Sequence, residues 1–493
     1  MNKNNILIKK YFEENSLVKA DIDSFNNFVD YRMQEVVKEV GEIIPTIIPP
    51  EMEDFKIILD KIEIEKPSIV EADGSKRDIL PTEARLRKIS YSSPILLNVG
   101  VYIDGIQREV FKAEVGKLPI MLRSKHCHLY NLNREQLIEK GEDPDDLGGY
   151  FILNGNERVL ITVEDLASNK MFFERKKIGP SPFVANVFSE RGAYRIPHKI
   201  EMMKDGILYL SFTRFKRIPI VALIKAFGIV KDEEIMKLIS GNEQYDDAFI
   251  NLYNLVDLKK QDAALEFVAK KMGLNMPKEE LLERTMENLD KYLLPHLGIT
   301  KEDRLNKAYN LCKLVKRFLI VSKKQIHIDK DHYMNKRLKL SGDLLSDLFR
   351  VNLMVLVNDL LYNFQRLVKR GKFTSVKIII RDKLLTSRIK SSMATGSWVG
   401  GRKGISQNMD RTNFLATLSH LQRVVSLLSA TQENFDARAL HSTHWGRLCP
   451  IETPEGTSIG LRKNLAMLCN ITQGEFSSEK LVKSLQSLGL KNV

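Results

Sequence analysis

The sequence predicts a mixed α+β, multidomain chain, on three observations. At 493 residues the chain exceeds what one hydrophobic core ordinarily organises, so two or more domains are expected. Helical spacing is followed by strand alternation in the first third, whereas the middle turns from strands to long helical stretches. From Ala394 onward the texture changes again, to short elements rich in glycine, serine, threonine, asparagine and arginine.

Residues 17–45 read as helix, because Phe25, Phe28, Val29, Met33, Val36 and Val37 recur at helical spacing up to Gly41. Residues 55–64, 95–105 and 107–122 alternate as strands, and Asp104-Gly105 between the last two is a hairpin signal. In the middle, residues 170–329, strands are expected around 183–196 and 207–215. Helices follow. Pro277 suits a first helical turn, Thr300 with Asp303 resembles a capping box, and Leu305, Ala308, Cys312, Val315 and Leu319 recur at spacings of three and four. That spacing makes Cys312 core packing. A long helix over 343–370 should end at Gly371, with Lys369 and Arg370 in its last turn. There is no internal repeat or low-complexity tract.

Lysine plus arginine number 76 against 63 acidic residues, a net charge of +13. A polyanionic partner suits that surplus, although an ordinary soluble basic protein carries it too. Cys127, Cys312, Cys449 and Cys469 are far apart and form no CxxC pair, which argues against a disulfide framework or zinc ribbon and fits a reducing compartment. The N-terminus lacks a signal-peptide pattern, and no stretch of about 18 uncharged apolar residues follows, so a cytoplasmic protein without membrane contact is expected. His126 and His128 would share a side of a strand, but no second ligand pair stands near them, and no metal is assigned. Asp21 with Asp23 reads as a helix N-terminal cap, and Asp143, Asp145 and Asp146 as an acidic turn. Neither these nor Asp329 with Asp331 form a two-metal acid cluster.

The densest chemistry lies in HSTHWGRLCPIETPEGTSIGLRKNLA, residues 441–466. It has neither period 2 nor period 3.6 in its apolar positions, so it reads as a loop. Pro450, Pro454, Gly446, Gly456 and Gly460 stiffen it, and His441, His444, Arg447, Glu452, Glu455 and Lys463 ride on that support. For Glu452, hydrogen bonding to backbone amides within the loop is the better reading. Upstream, WVGGRKGISQ places glycines beside Arg402, Lys403, Ser406 and Gln407, groups suited to phosphate and sugar, but with no GK[ST] it is not a P-loop, and from the residues alone a basic surface turn is the better reading.

The 441–466 run resembles the ETPEG segment of the second-largest subunit of multi-subunit DNA-directed RNA polymerases, and its THWG and GLRKNLA flanks are similar to the archaeal and eukaryotic versions. LVKADIDSFNNFVDY (17–31), GGYFILNGNERVLI (148–161), DKDHYMNKRLKLSGDLL (329–345) and ATGSWVGGRKGISQNMDRTNFLATLSHLQRVVS (394–426) resemble the same subunit in the same order. The resemblance implies the N-terminal half of that subunit, most like the separate B″ chain of archaea with a split B subunit. It implies a protrusion from 1–165 and 336–395, a lobe over 166–335, a fork over 396–466 and the start of an external region at 467–493.

By the same resemblance, no catalytic residue resides in this chain. Glu455, Arg447 and Lys463 would lie near the active centre, with Arg447 and Lys463 supplying positive potential and Glu455 orienting a cation. Arg402, Lys403, Gln407, Arg423, Phe435, His444 and Ser458 would approach nucleic acid, as would Asp331 and Lys336 through a stretch that forms a base pocket in bacterial relatives, although a structural hinge from lobe back to protrusion accounts for that stretch equally well. Many relatives carry two arginines where this chain has Gln422 and Arg423, and proline and asparagine where it has Thr457 and Ser458. The implied partners are the largest subunit, which holds the catalytic magnesium, the C-terminal half of the B subunit, the DNA template and nascent RNA. This chain would bind no cofactor of its own and would be inactive alone. A self-contained, non-enzymatic nucleic-acid-binding module would explain the charge but not five collinear matches. A freestanding hydrolase would need a nucleophile or closed metal site that the sequence does not offer.

Overall fold

The computed structural model describes residues 3–175, 179–241, 246–324, 329–373, 375–431, 433–472 and 478–489. Parts of the expected external region, 473–477 and 490–493, therefore lie outside the described residues. The chain divides into two compact units, Met1–Asp165 with Leu338–Val493, and Leu166–Arg337.

The first unit is built on an antiparallel sheet of Glu42–Ile43, Phe55–Ile64, Ser92–Ile103 and Ile106–Pro119, in that order. Asp104 and Gly105 join the last two strands with φ of 51° and 76°, the left-handed pair that matches strand twist. The helix expected over 17–45 is a helical run of Lys19–Asn27, a π turn Phe28–Arg32 and Met33–Val40, closed by Gly41 at φ 66°. Its stripe of Phe25, Phe28, Met33, Val36 and Val37 is buried with Leu344, Leu348, Phe349 and Leu353 of the Ser341–Lys369 helix. Each such side chain contributes about 1.5–3 kcal/mol. The Phe28 and Phe349 rings meet edge to face with centroids 6.2 Å apart.

Asp21 caps a different helix from the one expected. It lies within the first turn of Lys19–Asn27, and its carboxylate accepts the Ser341 N–H at 3.2 Å, while Ser24 Oγ accepts the Gly342 N–H at 3.2 Å. Both are orphan donors at the start of Ser341–Lys369. The approach is close enough that a Cβ on Gly342 would stand 2.0 Å from the Ser24 carbonyl oxygen. Sequence spacing could not reveal this, because the capped helix lies some 320 residues away.

His126, Cys127 and His128 lie in consecutive turns rather than on a strand. His126 Nε2 meets Asp30 Oδ1 at 3.0 Å and Cys127 is buried under the Tyr91 hydroxyl, 3.4 Å away. The acidic turn is present, with Asp143 Oδ1 accepting the Asp145 N–H at 2.9 Å.

The second unit has a five-stranded antiparallel sheet, Met171–Arg175, Phe183–Arg191, Tyr194–Met202, Leu208–Phe212 and Phe215–Pro219, in chain order. The stretch expected as one strand over 183–196 is two, turned at Gly192 with φ 57°. Helices follow, ending with Lys278–Tyr292 and Arg304–Lys324. Pro277 is the residue before the first of these. Asp303 Oδ2 accepts from both the Thr300 N–H (3.1 Å) and hydroxyl (2.6 Å), so the acid's half of the expected capping box is present ahead of the second helix, while the Thr300 hydroxyl bonds the acid in place of a backbone N–H. Cys312 is buried with Ala308, Val315 and Leu319, and desolvation pushes its thiol up to about 12. Leu305 departs from the expected stripe and is 52% exposed.

Burial raises the Asp21 carboxyl from its ordinary 3.8 to about 6, against the lowering effect of its bonds to Ser341. A raised folded pKa means stability that is full below about pH 4 and lost as pH climbs through about 6. Asp21→Asn keeps an acceptor without the charge. It is expected to flatten the pH 4–6 stability profile and to add about 1–3 kcal/mol at neutral pH. Urea unfolding from pH 4 to 8 measures this, and an unchanged profile contradicts it.

Candidate nucleic-acid interface

Three short strands of the first unit bring the candidate segments together. Arg423–Ser426 runs parallel to Thr162–Leu166, with Val424 opposite Thr162 and Ser426 opposite Glu164. On its other side it runs antiparallel to Arg462–Asn464, with Val424 opposite Lys463. Side chains two residues apart share a face, so this register puts Lys463 and Glu164 on the same side. Lys463 Nζ donates to Glu164 Oε1 and Oε2 at 3.0 and 3.1 Å, with both side chains buried. Lys463 is thus neutralised inside the protein. The expectation that it supplies outward positive potential gives way to a structural role.

The opposite face carries Arg423 and Arg462. Desolvation, reinforced by the Arg462 charge, lowers the Arg423 guanidinium from its ordinary range, and Arg462 is exposed. Beside them, desolvation and the Arg423 charge bring His420 down to about 4, so its ring is neutral at physiological pH. His420 Nδ1 accepts the Asp410 N–H at 3.1 Å. That leaves the proton on Nε2, which donates to Gln407 Oε1 at 3.2 Å, while Gln407 Nε2 donates to the Gly404 carbonyl at 3.1 Å. Gln407 is therefore held in one orientation at its place in the Ser406–Asn408 strand.

The glycine-rich turn before it closes on its own backbone. A Cβ on Gly396, at φ 75°, would stand 2.7 Å from the Ser406 carbonyl oxygen. Trp398 is buried and donates its indole N–H to the Leu344 carbonyl at 2.8 Å. Arg402 also turns inward, donating to Asp165 at 2.5 Å with Asp347 3.9 Å away, so its charge is compensated within the fold and its expected phosphate contact is corrected to a tethering role. Lys403 remains exposed.

The 441–466 loop is pinned from several sides. Arg438 donates to three carbonyls, those of Ala430, Thr457 and Ile459, at 2.8, 2.7 and 3.0 Å. Gly460, at φ 71°, lies so close that a Cβ would meet the Arg438 carbonyl oxygen at 2.2 Å. Thr453 Oγ1 donates to the Arg462 carbonyl and accepts the Gly460 N–H, each at 2.9 Å. Glu452 accepts from the Ser419 hydroxyl at 2.5 Å rather than from a loop amide. The Cys449 N–H bonds the Asn464 carbonyl at 2.9 Å, closing the base.

From this frame Arg447 and Glu455 face outward, as do Trp445 (62% exposed) and Phe435 (74% exposed). Ser458 is half-buried. His444 is buried, with a ring nitrogen 3.4 Å from the His441 N–H, so it braces the turn and its expected nucleic-acid contact is not available as the fold stands. In the second unit, Lys336 Nζ stands 3.4 Å from Asp331 Oδ1 with both side chains largely buried, and Asp329 Oδ1 accepts the Asp331 N–H at 2.9 Å. The two residues meet each other, in place of presenting an outward charge.

Sequence reasoning missed Glu164, Asp165, His420 and Arg438. Two acids directly after the apolar stretch 159–163 signal partners for at least one of them, since a strand entering a core places alternate side chains inside. His420 and Arg438 offer no such signal, because their work is done by contacts that only the tertiary fold creates. Among the described residues no group of three or more His, Cys, Asp or Glu could hold a metal ion, and no helix is long and apolar enough to cross a membrane.

Comparison with known proteins gives a consistent picture. Residues 16–387 match the family described as RNA polymerase beta subunit, and residues 407–471 match RNA polymerase Rpb2, domain 3. The chain is 42% identical to the DNA-directed RNA polymerase subunit Rpo2N of Methanocaldococcus jannaschii, covering 98% of each chain. It is 41% identical to Rpo2N of Methanothermobacter thermautotrophicus strain Delta H, over 99% of this chain and 98% of that one. It is also 42% identical to subunit Rpo2 of Saccharolobus solfataricus, over 98% of this chain but only 43% of the relative. The chain thus spans nearly the full length of Rpo2N and less than half that of Rpo2.

Removing one member of the buried pair is expected to be costly. Lys463→Ala should destabilise the chain by about 3–5 kcal/mol, because Glu164 is left buried without its cation. Arg447→Ala, on the exposed side of the same loop, should change stability by less than about 0.5 kcal/mol. Chemical denaturation of both variants measures the difference, and equal effects contradict the inward and outward assignment.

Proposed function

The chain belongs to the RNA polymerase beta-subunit family, as the N-terminal part of the second-largest subunit of a DNA-directed RNA polymerase, and from that premise we propose how its parts divide the work. The unit Leu166–Arg337 is the lobe, and the other unit combines protrusion and fork. The outward side of the fork, with Lys403, Arg423, Arg447, Glu455, Phe435 and Ser458, lines the cleft along DNA template and nascent RNA in the cytoplasm. Its inward side, with Arg402, His444 and Lys463, fixes the geometry.

Nucleotidyl transfer is governed by placement and charge, so a wall of the active centre serves best when it does not move. The observation that carries this reading is the pinned loop, whose base is a buried ion pair and whose tip is gripped by Arg438 while Arg447 and Glu455 stay exposed. Arg447 adds positive potential where phosphates approach. Glu455 cannot usefully meet phosphate, so it orients a cation. Phe435 offers a flat apolar face on which a base can stack. In this reading the reaction's magnesium is held by the largest subunit.

Two outcomes follow. The purified chain alone should show no template-dependent nucleotide incorporation, and robust incorporation by it contradicts the assignment. Glu455→Ala in a reconstituted enzyme should change elongation rate or fidelity by about tenfold, the scale of a lost charge contact, with assembly intact. A pure assembly defect, measured by subunit co-purification, favours a structural role instead.

A further inference from the structure

Away from the proposed cleft-lining residues, the first unit holds a cavity of about 270 Å³ whose lining, among the described residues, includes three lysines and no carboxylate. Its floor comes from the sheet. Ser92 pairs with Pro119 and Pro94 with Lys117, and alternation along the strands places Ser92, Lys117 and Pro119 on one face. The Asp382–Thr395 helix packs against the same strand at Gly116, where a Cβ would stand 3.1 Å from that of Leu385. It brings Thr386 and Lys390, one turn apart, to the rim. Thr386 Oγ1 accepts the Lys117 N–H at 2.9 Å, fixing helix to strand.

The third wall is the turn after the Pro81–Leu86 helix, where Lys88 adopts a left-handed φ of 54°. Such a conformation is uncommon for lysine and costs on the order of 1 kcal/mol. Gly155 packs so tightly here that a Cβ would meet Lys88 Cα at 2.8 Å, and Asn154 beside it is also left-handed, at φ 51°. The fold thus holds Lys88 in place at a local cost.

Lys88, Lys117 and Lys390 make no ion pair among the described residues. Nearby cations on the same unit do find acids, Arg77 and Arg87 meeting Glu71 and Glu83. The Ser92 hydroxyl adds a donor, the Thr386 and Ser90 hydroxyls being spent on the Asp382 carbonyl and Asn154 Oδ1, while Ile69, Ile89 and Leu153 supply an apolar wall. A site of this size, near the lower end of the roughly 300–1,000 Å³ usual for ligand pockets, admits a small molecule.

We propose that this cavity binds a small phosphorylated anion of nucleoside diphosphate size, with Lys88, Lys117 and Lys390 on the phosphates and the isoleucine and leucine wall against the apolar part. Ammonium point charges suit phosphate oxygens, and three cations meet the multiple negative charges of a diphosphate. Nothing in the proposed role of the 441–466 loop requires this site, which would make it a second contact with nucleotides on the subunit.

The test is calorimetric titration of the full chain at low salt with ADP as the probe. Saturable binding with one site is expected, weakened about tenfold by each of Lys117→Ala and Lys390→Ala, the scale of one charge-assisted hydrogen bond. Lys117→Arg and Lys390→Arg should stay within about threefold, with unchanged melting confirming the fold, since the cation is retained. Pyrophosphate should compete and adenosine should not, which separates phosphate recognition from base recognition. Three results overturn the proposal: no saturable ADP binding by the folded chain, equal binding by the triple alanine variant, or loss of binding in Arg447→Ala with none in Lys117→Ala. Tighter binding of polyglutamate than of ADP also overturns it, in favour of an acidic protein segment.

Discussion

Two consecutive acids on one buried strand, Glu164 and Asp165, organise the candidate interface. Successive strand residues point to opposite faces, and each acid holds a different loop. Glu164 receives Lys463 from the 441–466 loop, 299 residues away, and Asp165 receives Arg402 from the glycine-rich turn. A buried ion pair adds little net stability against apolar groups of the same shape, but an unpaired buried charge is strongly penalised. The pairing therefore selects one register among the alternatives that three short strands could adopt. Everything presented outward from these loops inherits that register.

Position decides what each cation does. Lys463, Arg402 and Lys336 are paired with acids and largely enclosed, so they shape the protein and add little to its outer field. Lys403, Arg447 and Arg462 are exposed, and Arg423 stands half-buried on the same face of the sheet as Arg462 of the neighbouring strand. A net charge of +13 thus says less about a polyanion site than the division between inward and outward cations does. His420 extends the same logic to a neutral group. Its low pKa keeps the ring neutral, the Asp410 N–H fixes the tautomer, and that tautomer orients the Gln407 amide.

Much of the fold was legible because its signals are local. The Asp104-Gly105 hairpin, the Cys312 stripe and the helix stop at Gly371 each follow from a few neighbouring residues, and the structure shows all three. The sequence also marked the 441–466 run as a stiff loop, which its many hydrogen bonds bear out as far as Leu461, whereas Arg462–Asn464 pairs as a strand. The errors are tertiary. Asp21 was assigned to its own helix but caps one distant in sequence, Leu305 falls outside its stripe, and the 183–196 stretch hides a turn at Gly192. At the interface, residue type identified groups able to meet phosphate, but it could not tell Arg447 from Lys463. That distinction depends on Glu164, which pattern alone does not connect to residue 463.

The most direct measurement is crosslinking from a photoreactive residue at position 455 in a stalled, fully assembled polymerase, compared between the native frame and Glu164→Gln. If the buried pair sets the loop, position 455 crosslinks to the growing end of the RNA or the incoming nucleotide in the native frame. In the Glu164→Gln enzyme that crosslink is lost or displaced while all subunits still co-purify. Identical crosslinks in both enzymes, or a native pattern confined to protein, would contradict the account.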